Sequence, residues 1–282
     1  MSAHQETAGG SVRAASLSPT ARRRIATVAV LGVLAVVAWL ASVNQMRGMG
    51  MDERFSVGSF GFFIGLWVVM MAAMMFPSVW PTLSLYGTIM RNRATTGVRA
   101  GVASAAFVGG YLASWTAYGL VAFGVLEVGS RAGLGGLSDE ELARYVVAPV
   151  ALAAALYQLA PLKQACLRHC RGPFSFLLAH WRDGLRGAVR MGAIHGGYCV
   201  GCCWMLMLVL LSVGLMSITW MAVVSIAIAV EKLTPTRSTW LPSSLLGIGL
   251  TALGLVALIR PSLLPGVHGM HDKAPVMQTT MK

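Results

Sequence analysis

The chain reads as an all-α, polytopic helical membrane protein with about seven transmembrane helices and one interfacial amphipathic helix. Three observations predict this. Hydrophobic residues make up 56% of the 282 residues and charged residues only 11%, where a soluble domain carries roughly a quarter. The mean hydropathy is +0.69. The apolar residues are gathered into long runs, and about 20 residues in a helix cross a bilayer core.

Residues 1–24 are Ser/Ala/Gly-rich with an arginine run, and read as a disordered cytoplasmic tail. No small-residue cleavage site follows the first apolar run, so a signal peptide is not expected. Residues 25–260 form one transmembrane domain without an internal repeat. Spans are expected near 25–43, 60–80, 101–126, 145–162, 195–215, 217–231 and 241–259. Residues 214–220 read as a tight turn, because 194–231 is too long for one span. Residues 261–282 read as a flexible tail carrying His268, Met270, His271, Met277 and Met281.

Between the fourth and fifth spans, Phe174, Leu177, Leu178, Trp181, Leu185 and Val189 recur at helical spacing, with Arg182, Arg186 and Arg190 on a separate line. This predicts an amphipathic helix on the inner membrane surface. Gly184 and Gly187 are its weak points.

Loop charges set the orientation. With the N-terminus in the cytoplasm and seven spans, 15 of the 22 Lys and Arg residues fall on the inner side and 7 on the outer. The expected location is the bacterial inner membrane. The net charge of +12 is then explained by topology and anionic lipid, so nucleic-acid binding is excluded. No Gly-x-Ser-x-Gly, His-Glu-x-x-His or P-loop occurs, and no enzyme activity is expected.

The chemistry is concentrated in sulfur. Within residues 195–204, His195, Cys199 and Cys203 follow at i, i+4 and i+8, with Cys202 one turn from Cys199. On a helix they lie on one side within about two turns. Soft thiolates select Cu(I), zinc or iron–sulfur clusters. A second group, Cys166, His169 and Cys170, closes the fourth span at the same depth, where reducing conditions favour thiolates. The two groups are expected to pack so that Cys166 and Cys170 approach His195 and Cys199.

Methionine is the next unusual feature, with 17 residues. Met70, Met71, Met74 and Met75 sit at i, i+3 and i+4 spacings in the second span. Such a stripe serves either as packing or as a thioether ladder for Cu(I). Met46, Met49 and Met51 fall in the first outer loop. Glu231, beside Lys232 at the end of the sixth span, is a further candidate ligand; the alternative is a local Glu–Lys pair at the interface.

Four segments carry a family resemblance: Met-Met-Ala-Ala-Met-Met-Phe-Pro from Met70, Tyr-Gln-Leu-Ala-Pro-Leu-Lys-Gln-Ala-Cys-Leu-Arg-His-Cys-Arg from Tyr157, Arg-Met-Gly-Ala-Ile-His-Gly-Gly-Tyr-Cys-Val-Gly-Cys-Cys-Trp from Arg190, and Glu-Lys-Leu-Thr-Pro from Glu231. They resemble the bacterial family catalogued as domain of unknown function 2182, over residues from about 62 to about 259. The resemblance implies a metal-binding integral membrane protein. It carries over onto Met70, Met71, Met74, Met75, Cys166, His169, Cys170, His195, Cys199, Cys202, Cys203 and Glu231.

Three function classes follow. The first is Cu(I) handling, by transport or by delivery, with a copper chaperone or a recipient membrane enzyme as partner. Zinc is the alternative ion. The second is a thiol redox or cofactor-binding membrane protein. The third is a non-catalytic scaffold subunit whose sulfur residues only pack.

Overall fold

The computed structural model describes residues 60–93, 97–134, 137–213, 218–234 and 240–263, with a few positions between 29 and 44. Among the described residues every element is helical. About half of the expected first span at 25–43, most of the turn at 214–220, the methionines of the first outer loop and the Met/His residues of the tail lie outside them.

The helices are α1 (Phe60–Arg93), α2 (Gly97–Arg131), α3 (Ala148–Gln158), α4 (Pro161–Arg171), α5 (Pro173–His180), α6 (Gly184–Val213), α7 (Ile218–Leu233) and α8 (Trp240–Ile259). A turn of α-helix, Asp139–Leu142, and a π-helical turn, Ala143–Val147, lead into α3. Four helices are long and apolar enough to cross a membrane: α1, α2 from Arg99, α6 and α8. The bent pair Glu140–Gln158 and Pro161–Arg171 makes a fifth if counted as one span. The structure thus gives four or five helices long and apolar enough to span among the described residues, where the apolar runs suggested seven spans. Part of the gap is α7, whose 16 residues rise only about 24 Å, short of the roughly 30 Å hydrocarbon core.

The fourth span departs from the expectation of a straight helix. Pro161 has no N–H to continue the ladder, and it excludes α conformation from the residue before it. Ala160 is accordingly extended, at φ −67 and ψ 136, and α4 turns away from the preceding helix by 66°. The bend leaves the Gln158 carbonyl free, and the Gln164 side-chain amide donates to it at 2.9 Å.

The interfacial helix expected over residues 173–190 is also corrected. It is two elements. α5 ends at His180, and α6 begins at Gly184, whose φ of +78 lies in the left-handed region open to glycine. Residues 184–190 are the first turns of the long helix α6. In α5, Phe176 and Leu177 are buried while Phe174 and Leu178 face outward.

The tightest packing is between α2 and α6, which run parallel, with residue 107 beside 192, 111 beside 196 and 118 beside 204. Small residues permit this. A Cβ on Gly192 would stand 1.9 Å from the Phe107 carbonyl oxygen, and one on Gly110 would stand 2.0 Å from that of Val189. In lipid, where apolar burial alone does not draw helices together, such backbone approach supplies the association. α1 also packs on α2, its Trp67 indole donating to the Trp115 carbonyl at 2.9 Å.

Candidate metal centre

The cysteine segment occupies the buried side of α6. Gly192 and Gly196 bring that side against α2, so His195 and Cys199 face Tyr111, and the Tyr111 hydroxyl lies 3.0 Å from Cys199 Sγ. From α1 comes Met75, its sulfur 4.0 Å from Cys199 Sγ. α4 reaches the same region because of its bend. Cys170 Sγ lies 3.9 Å from Cys202 Sγ, and Cys202 Sγ lies 3.3 Å from Cys203 Sγ. The Cys202 thiol also donates to the Cys199 carbonyl at 3.2 Å. Cys166 sits over Gly201, where an added Cβ would be 2.7 Å from its sulfur. All five cysteines are free thiols.

Two sulfurs sharing an ion at about 2.3 Å each stand roughly 3.8–4.6 Å apart. The Cys170–Cys202 separation falls in that range. Among the described residues, however, no three His, Cys, Asp or Glu side chains stand ready to hold a metal. The sulfurs form a chain across three helices rather than a closed polyhedron.

Other expected ligands fall elsewhere. His195 is 3% exposed and packs among Phe107, Tyr111 and Phe176, the last at 4.8 Å between ring centroids. Its Nδ1 is buried with no partner. His169 stacks on Tyr198 at 4.2 Å and spends its Nδ1 on the Ala165 carbonyl at 2.9 Å. Met70, Met71 and Met74 are buried in the surrounding core. Glu231 is engaged on both oxygens: Lys163 Nζ is 2.8 Å from Oε2, and Ser243 donates to Oε1 at 2.8 Å. Arg171 donates to its main-chain carbonyl at 2.7 Å.

The structure adds groups that sequence reasoning passed over. Lys163, assigned to the inner loop by charge, is fully buried between Glu231 and Gln158. Lys232 is not paired with its neighbour Glu231. Adjacent helical residues diverge, and its ammonium lies 2.8 Å from Cys199 Sγ and 3.5 Å from Ser78 Oγ. A charged pair at the end of an apolar run was the available signal. The error lay in pairing the two charges with each other.

A family model described as PpoB2, copper chaperone, matches residues 64–257. The chain belongs to the PpoB2 copper chaperone family. That assignment carries a copper name rather than the domain-of-unknown-function name suggested by the motifs, and it takes in nearly all of α1, α2 to α7 and nearly all of α8. No curated protein and no solved structure matches the chain. Copper is therefore the ion against which the sulfur chain is considered.

Proposed function

We infer that this member of the copper chaperone family holds Cu(I) inside the membrane on thiolates drawn from Cys170, Cys199, Cys202 and Cys203, and delivers it to a recipient membrane enzyme. Met75, its sulfur 4.0 Å from Cys199 Sγ, is the neutral ligand beside them, and His195 on α6 with Cys166 and His169 on α4 are further candidate ligands. The observation that carries the reading is the run of buried sulfurs joining α4, α6 and α1, in a chain whose family is described as copper chaperones.

Soft sulfur favours Cu(I), and a thioether adds little for zinc. Delivery fits better than storage. A closed polyhedron would hold the ion firmly, whereas a chain of sulfurs offers ligands two at a time and lets an acceptor thiolate replace one. The remaining parts of the proposal are seven spans, an N-terminus in the cytoplasm and a place in the bacterial inner membrane. The apolar runs and the loop charges of the sequence support them.

The test is anaerobic loading of detergent-purified protein with Cu(I), followed by metal analysis. Wild type is expected to retain about one Cu(I) per chain against a chromophoric competitor. The Cys199/Cys202/Cys203→Ser triple variant is expected to retain none. Copper retention should fall in Met75→Leu, while zinc retention in the same variant should not. Metal-free wild type, together with unchanged membrane copper in cells lacking the protein, would leave the scaffold role instead.

A further inference from the structure

Among the described residues, buried charge is arranged in two parcels. The first is closed. Lys163 and Glu231 form an ion pair at 2.8 Å with side chains 0% and 3% exposed, completed by Gln158 and Ser243. The second is open. Lys232, 7% exposed, has no carboxylate partner among the described residues. Its contacts are the Cys199 sulfur and the Ser78 hydroxyl. Burying an ammonium in low dielectric is costly without an opposite charge nearby. Helix α7 nevertheless directs this one at the sulfur chain.

We propose that Lys232 is the fixed counter-charge of the metal centre and sets its preference for a monovalent over a divalent ion. This rests on the copper reading of the same cysteines. A metal bound by n thiolates carries a net charge of 1 − n as Cu(I) and 2 − n as Zn(II). For any ligand set the Cu(I) complex is one unit more negative. A cation held a few ångströms away therefore favours Cu(I) over Zn(II), however many cysteines participate. Coulomb interaction is strong at this range once water is excluded. The ammonium need not leave when the ion arrives, since a coordinated thiolate keeps lone pairs that accept N–H donors. Lys232 is thus a positioning and selectivity residue. Its three N–H donors and single charge suit it to an anionic sulfur complex.

The experiment compares Cu(I) and Zn(II) affinities of the full chain in detergent, each by chelator competition. Lys232→Gln keeps a hydrogen-bond donor and removes the charge. Its ratio of Cu(I) to Zn(II) affinity is expected to fall at least about tenfold, equivalent to about 1.4 kcal/mol. Lys232→Arg, which restores the charge, should keep most of the wild-type ratio. A packing defect alone would weaken both ions together and leave the ratio in place. Should Lys232→Gln fail to fold, Lys232→Leu supplies a second neutral side chain, one that brings no ligand atom of its own. Ser78→Asp neutralises Lys232 from the other side of their contact and should lower the ratio as well. A ratio unchanged in the folded neutral variants would overturn the counter-charge role while leaving copper binding intact. Wild type that binds no Cu(I) would overturn the underlying copper reading instead.

Discussion

At the scale of single residues, the buried Lys163–Glu231 pair separates what sequence can reveal from what it cannot. The i, i+4 spacing of His195, Cys199 and Cys203 was legible because helical geometry follows from residue number alone. That Lys163 lies buried was not legible. A lysine flanked by Arg168 and Arg171 looks like a topology charge until the bend before Pro161 turns it inward. Removing one partner of such a pair strands the other charge, at a cost of about 3–5 kcal/mol. Lys163→Met is therefore expected to lower the thermal midpoint in detergent substantially. The double change Lys163→Met with Glu231→Leu should recover most of the loss, since neither charge is then left unpaired. A single variant as stable as wild type would show that the pair is not held in the low-dielectric interior.

At the scale of elements, the long apolar helices were visible as runs, whereas their breaks were underread. Pro161 signalled its own break: the residue before a proline avoids α conformation, and Ala160 complies. The split at residues 181–183 had a weaker signal in Gly184, which sequence alone could not tell from a tolerated helical glycine. Gly192 had no distinguishing signal. It stands beside Gly196 and Gly197, and only the structure shows which of them meets another backbone. Gly192→Ala places a methyl against the Phe107 carbonyl and is expected to destabilise by about 1–3 kcal/mol as overpacking. It should also loosen His195 from Tyr111. Gly197 has nothing within 4 Å of an added Cβ, so Gly197→Ala should stay within about 0.5 kcal/mol of wild type. Thermal unfolding of the two variants side by side checks the pair, and equal losses would refute the assigned approach of α2 and α6.

At the scale of the whole molecule, hydropathy made the all-helical class and its long apolar helices legible at once, because a bilayer imposes one length and one composition on every span. The number of spans was less legible, since that depends on whether a short helix such as α7 or a bent one such as α3–α4 completes the crossing. Orientation gives a direct test. With seven spans and the N-terminus inside, a reporter fused after Lys282 should be active only in its periplasmic form. Activity of the cytoplasmic form there would require an even number of crossings and would carry the Met/His tail to the inner face.

The parallel seating of α2 on α6 has a bearing on biosynthesis. Tyr118 and Trp204 are 86 positions apart, so neither helix can take its place by pairing with the segment that emerges next to it. During synthesis the small-residue face of α2 must stay uncovered until α6 follows. Lys232 arrives later still. All five cysteines of a nascent chain are thus present before the lysine that lies beside Cys199 is made, and α7 is what brings that ammonium to them. Long sequence separation slows such closure, and the unfinished chain is the form most exposed to oxidation, to stray metal and to quality-control proteases.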